Sequence, residues 1–290
     1  MTGLRPRSWT AAQVALLGAL VAAGVWACWP AWIDIWQQAT RRSDAGYVLL
    51  VPFVAGYLFW LRRARLRFVR CRPSLWGAAI ALCSVGLTWY GAEVDNHMAR
   101  HLAAVAALVA AVVTMAGPES LRQFAVVAVA LLFLLPVPGA IRQQMARPLQ
   151  LMAASFTGEL LYLAGIDAVR EGAVLVIRGT PVAVGEACDG MRMVLALALV
   201  VFTFVFSVPL RTEMRLLLIG LSPIVALLCN VLRLIPTAIA YGFTSPETAE
   251  WVHDVAGWMM LPAALLMLFG VVRLFRWLEF PVYRWRLAPA

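Results

Sequence analysis

Three positions late in the chain carry side chains that together make up the parts of an acyl-transfer centre. They are Cys188 in Glu186-Ala187-Cys188-Asp189-Gly190-Met191-Arg192, Arg233 in Asn230-Val231-Leu232-Arg233, and His253 in His253-Asp254-Val255-Ala256-Gly257. Cysteine acyl transfer needs a thiolate nucleophile, a proton carrier, and a cation or N–H donors at the carbonyl oxygen. Cys188 follows a predicted strand and precedes Gly190 at the N-terminal end of a predicted helix. There the free N–H groups and the helix dipole stabilise a thiolate, and the same N–H groups can receive an oxyanion. Arg192 lies one helical turn on, placed either to favour the thiolate or to snorkel to the interface. Asn230 and Arg233 share one helix face inside an apolar segment. An arginine near a helix centre in a bilayer costs about 2.5–3.5 kcal/mol, so it needs a partner or a job. An ion pair with an outer acid, Glu186 or Asp189, is the competing explanation for it. His253 begins a predicted helix, and Gly257 one turn later leaves room for a helix or a substrate backbone to come close.

The other cysteines carry less chemistry. Cys28, Cys83 and Cys229 fall in or near apolar spans and Cys71 in an Arg-rich loop, where free Cys behaves as a small hydrophobe. No C-x-x-C and no Cys/His spacing of the metal-binding kind occurs, so no disulfide framework, metal or cofactor is expected. His97 and His101, in Asn96-His97-Met98-Ala99-Arg100-His101, read as solvated residues of an outward loop.

The elements that must position these residues are membrane helices. Of 290 residues, 63% are hydrophobic and 13% charged, with a mean hydropathy of +0.83. Soluble domains run at roughly 45–50% apolar and about 25% charged, so this is more apolar surface than one soluble core can absorb. The excess is laid out in blocks of bilayer-spanning length. Eight spans are expected: Ala11 to Ala27, Tyr47 to Leu61, Leu75 to Tyr90, Leu102 to Ala116, Phe124 to Leu135, Met191 to Val208, Leu216 to Ile235 and His253 to Val272. The first has no convincing A-x-A cleavage site at Ala27-Cys28-Trp29-Pro30 and reads as a retained helix. All 24 basic residues are Arg, scattered between apolar blocks and forming no continuous basic face, so the net charge of +9 points to membrane orientation and not to nucleic acid. With eight spans, one side gathers Arg5, Arg7, the run from Arg62 to Arg72, Arg122, Arg211, Arg215, Arg273, Arg276, Arg284 and Arg286 against only Glu119, Glu213 and Glu279. The positive-inside rule makes that side, and both termini, cytoplasmic.

The chain reads as one integral membrane domain over 1–290: N-terminal spans in 1–135, an extracytoplasmic insertion in 136–190, and site-bearing spans in 191–290. The insertion opens on Pro136-Val137-Pro138-Gly139, which cannot continue a helix. Ala140 to Ile166 mixes apolar residues with Arg142, Gln143, Gln144, Arg147, Gln150 and Glu159, an amphipathic helix on or dipping into the outer leaflet. Val174 to Ile177, a turn at Arg178-Gly179-Thr180-Pro181, and Val182 to Val184 read as a small hairpin that delivers the chain to Cys188. The fold class is thus an all-α polytopic membrane protein with an outward amphipathic helix and a small hairpin. Cys188, Arg233 and His253 then fall at the outer ends of three successive spans.

Glu186-Ala187-Cys188-x-Gly190-Met191-Arg192, Asn230-x-x-Arg233 and His253-x-x-x-Gly257, in this order on late spans, resemble the exosortase/archaeosortase family. The multi-span layout and Tyr47-Val48-Leu49-Leu50-Val51-Pro52 extend the resemblance over most of the chain. It implies a Cys/Arg/His site, here Cys188, Arg233 and His253. Such a site cleaves C-terminal sorting signals made of a short motif, a transmembrane helix and a basic tail, and passes the cleaved chain to an acceptor. Glu186, Asp189, Gly190, Arg192, Asn230 and Gly257 would support the site or bind substrate. Partners implied are membrane-anchored protein substrates and the lipid bilayer. One departure stands out: the position after the cysteine is commonly Ser in the family, and here it is Asp189. A carboxylate beside a thiol opposes thiolate formation unless Arg192 or Arg233 pairs with it. That marks either a divergent subfamily with its own sorting motif or reduced activity.

Two readings from other classes compete. A transporter or assembly subunit for surface polysaccharide would line a polar path with Arg233 and outer acids. Against it, the sequence has no internal repeat and no paired broken helices. A purely structural anchor leaves the cost of Arg233 unexplained.

Overall fold

The computed structural model describes residues 9–41, 43–183 and 190–278. Glu186, Cys188 and Asp189 lie outside the described residues, as does the side chain of Arg192. The chain divides into two compact units, Met1–Pro138 and Gly139–Ala290.

The first unit holds α1 (Ala11–Ala27), α2 (Trp29–Arg41), α3 (Val51–Arg62), α4 (Leu75–Glu93) and α5 (His97–Leu131). Their starts follow the capping rules. Thr10 and Gln13 close a capping box on α1, Ser74 caps α4, and the Asn96 side chain accepts from the Ala99 N–H at the head of α5. Small residues let α4 and α5 approach closely. A Cβ at Gly77 would collide with Thr114, and the Ser84 hydroxyl donates to the Ala103 carbonyl at 2.8 Å. α5 is not one straight rod, because Gly117 takes φ 69° and Pro118 follows it. A straight helix would separate His101 from Leu134 by roughly 50 Å. Instead the Leu134 carbonyl lies 3.2 Å from His101 Nδ1, so the segment folds back on itself at Gly117 as two antiparallel arms. His97 and His101 are therefore helical, and His101 is buried; the sequence placed both in a solvated loop. The Asn-capped helix starts earlier than hydropathy suggests, because the apolar window begins only at Leu102 while the helix admits polar residues in its first turns.

The second unit holds α6 (Gly139–Leu163), three short strands, α7 (Gly190–Ser207), α8 (Thr212–Phe243) and α9 (Pro246–Trp277). α8 is its centre. On one side Val225, Ala226 and Cys229 pack with Leu197 and Val201 of α7 and with Met260, Ala264 and Leu268 of α9. On the other, Val231 and Leu234 meet Ala153 and Ala154 of α6 and Leu175 of the sheet. The stretch read as a two-stranded hairpin is a three-stranded antiparallel sheet of β1 (Ala168–Glu171), β2 (Val174–Ile177) and β3 (Thr180–Ala183), in the order β1-β2-β3. Arg178 and Gly179 both take positive φ and make the two-residue β2–β3 connection, shorter than the four-residue turn the sequence suggests. Alternate residues of β2, Leu175 and Ile177, are fully buried, and Ile177 reaches Ala238 of α8 and Leu161 of α6. Gly242 makes that docking possible: a Cβ there would stand 2.5 Å from Ile177 Cγ2.

Among the described residues, five helices are long and apolar enough to cross a membrane: Ala45–Phe68, Leu75–Glu93, His97–Leu134, Thr212–Phe243 and Pro246–Trp277. A sixth span follows if α1 and α2, bent by 71° at Cys28, are counted as one. Large apolar side chains such as Trp26, Leu75, Leu82 and Leu266 point outward from these helices, as lipid-facing residues do.

Candidate active site

Arg233 stands on α8 ten residues before the helix ends, and His253 on α9 seven residues after it begins at Pro246. Neither lies at a helix end, as hydropathy alone suggests. Both helices continue past the apolar windows through Pro236, Thr237 and Tyr241 on one side and Glu247 and Glu250 on the other. Ser245 caps α9, with Pro246 in its first turn. At 1.5 Å per residue the two side chains sit roughly 15 Å and 10 Å inside the facing helix ends.

The two residues meet directly. Arg233 Nη2 is 2.7 Å from His253 Nε2 and 3.4 Å from Nδ1. A guanidinium only donates, so the short contact puts the lone pair of a neutral imidazole on Nε2 and its proton on Nδ1. Arg233 is buried at 7% exposure, which turns the membrane cost of its charge into a real constraint on this site. Gly257, one turn beyond His253, is where the guanidinium passes: a Cβ there would lie 3.6 Å from Nη2, within ordinary contact. The close approach expected at Gly257 is thus made by the Arg233 side chain of the neighbouring helix.

A cavity of about 290 Å³ opens on this pair, lined by Arg233, His253, Asp254, Gly257 and Trp258 and also by Cys229 and Leu197. Sequence reasoning did not single out Asp254, whose only signal is adjacency to His253. It set Cys229 aside as a buried small residue; its spacing of four from Arg233 puts it on the same helix face. The Cys229 thiol donates to the Met267 thioether at 3.8 Å and is 1% exposed, the surroundings of an inert cysteine. Asn230 is also buried, and its Oδ1 meets no donor among the described residues. Gly190 is the first residue of α7, two positions after Cys188 in the sequence.

A family model described as transmembrane exosortase matches residues 32–270, which includes every one of these positions. The chain belongs to the transmembrane exosortase family. No curated protein and no solved structure matches it. This exosortase-family chain is therefore a multi-pass membrane protein, and its family is one of cysteine transpeptidases and proteases acting in protein sorting. Within it, the described residues bring Arg233, His253 and Gly257 to one cavity.

Proposed function

We propose that this exosortase-family chain processes C-terminal sorting signals of exported proteins at the outer membrane face, with Cys188 as nucleophile, His253 as proton carrier and Arg233 as oxyanion donor. The observation that carries the reading is the 2.7 Å contact between Arg233 Nη2 and His253 Nε2 at a cavity inside an otherwise apolar helix pair. The Cys188 sulfur attacks the scissile carbonyl, a C–S bond forms, and the C–N bond breaks with its electron pair going to the nitrogen. His253 Nε2 takes the thiol proton and returns it to the leaving amine. Water or an acceptor amine then attacks the thioester, regenerating the thiol and giving hydrolysis or transpeptidation.

In the resting arrangement Arg233 Nη2 and His253 Nε2 occupy one another's functional atoms. A substrate carbonyl entering the cavity competes for Nη2, which frees the imidazole lone pair for the proton. Such coupling makes the base available only when a carbonyl is in place. The buried Asn230 Oδ1 suits a substrate or loop amide as its donor. In the proposed orientation, with eight spans and cytoplasmic termini, Cys188 and this cavity face outward, where sorting signals emerge; the arginine distribution supports it.

The deciding experiment co-expresses a substrate bearing a C-terminal motif, helix and basic tail and follows its processing, with wild-type chain and with Cys188→Ala. Loss of cleavage in Cys188→Ala, together with labelling of Cys188 by an impermeant thiol reagent in wild type, is the expected result. Full processing by Cys188→Ala would end the cysteine-enzyme reading.

A further inference from the structure

We propose that Asp34, His97 and His101 of the first unit form a binding site for one divalent transition-metal ion, with zinc the closest chemical match. The three residues come from α2 and from the first two turns of α5, and each offers one donor atom, all within 4.8 Å of one another. Asp34 Oδ2 is the focus: His97 Nδ1 lies 2.6 Å from it, His101 Nε2 2.9 Å, and Gln38 Nε2 donates to it at 3.1 Å.

The hydrogen-bonding groups around the cluster favour a shared positive centre. His101 Nδ1 is 3.2 Å from the Leu134 carbonyl, which can only accept, so that nitrogen carries the proton. With His101 neutral, the lone pair of Nε2 then faces the Asp34 carboxylate, which is also an acceptor, and a cation between them, a proton or a metal ion, removes the conflict. His97 repeats the conflict. Arg100 Nη2, which only donates, is 3.0 Å from His97 Nδ1 and so calls for a lone pair there, yet that nitrogen also faces Asp34 Oδ2. Two imidazole lone pairs and a carboxylate oxygen thus converge on one point in a site where the His101 side chain is 2% exposed. A metal ion shared by the three satisfies both conflicts at once. The His101 Nδ1–H held by a backbone carbonyl is the outer hydrogen bond that orients a ligating imidazole.

Two imidazoles and one carboxylate match zinc with an open fourth position, at bond lengths of about 2.0–2.2 Å, which spread donors in a tetrahedron to about 3.3 Å apart. The 2.6 Å and 2.9 Å separations from Asp34 would widen by about 0.7 Å and 0.4 Å to reach that spacing. Arg100 opposes the ion by its charge, but the same Nη2 is 2.9 Å from Asp95, an exposed carboxylate that can keep it once the ion takes His97 Nδ1.

The test uses the full chain in detergent, purified through a tag free of histidine, stripped with chelator and titrated with Zn²⁺ alone. Expected are one equivalent of tightly held zinc by elemental analysis, a zinc-dependent rise in thermal midpoint, and visible absorption bands when Co²⁺ replaces zinc. His97→Ala, at the exposed rim, and Asp34→Asn should each weaken zinc by about tenfold or more, the scale on which even outer partners of a ligand act. Cys188→Ala should bind zinc as wild type does, separating this site from the proposed catalytic one. Substoichiometric zinc, or equal affinity in wild type, His97→Ala and Asp34→Asn, would overturn the proposal and leave a protonated His101 paired with Asp34.

Discussion

Replacing Arg233 by Lys separates a catalytic guanidinium from a merely tolerated buried cation. Lysine keeps the charge, so the electrostatics of burial at 7% exposure change little, and the loss of packing costs about 1 kcal/mol of stability. The geometry, however, does not survive. The lysine Nζ lies one bond nearer the backbone than Nη2, and the missing C–N bond is about 1.3 Å long. Set against the 2.7 Å reach to His253 Nε2, that shortfall carries the donor to roughly 4 Å, beyond hydrogen-bond range. A displacement of about 1 Å at a reacting centre costs on the order of 10²-fold, and loss of an oxyanion donor about 10²–10³-fold, or 2.7–4 kcal/mol of barrier. The expected result is turnover lowered by about 10²–10³-fold with membrane-inserted protein near the wild-type level. The assay is the processing rate of a co-expressed sorting substrate, normalised to inserted protein. A rate within about threefold of wild type, under 1 kcal/mol of barrier, would refute the oxyanion role and leave Arg233 as a structural ion-pair partner.

His253→Ala should remove turnover with the chain still inserted, because the proton for the leaving amine is lost; normal processing would reassign the proton carrier. Cys229→Ala and Cys83→Ala should process substrate at the wild-type rate although Cys229 lines the same cavity, and loss of activity in Cys229→Ala would move the nucleophile to α8. Gly242→Ala puts a Cβ 2.5 Å from Ile177 Cγ2 and should destabilise the second unit by about 1–3 kcal/mol; an unchanged thermal midpoint in detergent would show that the sheet does not depend on this contact. Reporter fusions at Ala290 and Gly179 should report cytoplasmic and exported positions respectively, and an exported reporter at Ala290 would sink the eight-span orientation.

Local chemistry was enough to read much of this protein from its sequence. A bilayer demands long apolar helices, so hydropathy located the segments of α1, α3, α4, both arms of α5, α8 and α9, while the turn at Gly117 that joins the two arms of α5 came from the structure. Arg233 was conspicuous because a charge in an apolar helix always requires an account, whatever the fold. Helix ends were misplaced where polar residues continue a helix beyond the apolar window, which moved Arg233 and His253 inward by two to three turns. β1 was missed because its Ala168-Val169-Arg170-Glu171 shows no alternation of its own; pairing with β2 makes it a strand. The joining of Arg233 to His253, and of Asp34 to His97 and His101, was decided by tertiary structure alone. Residues twenty and more than sixty positions apart meet through interhelix register, set by which small side chains let two backbones approach, and no local pattern records it.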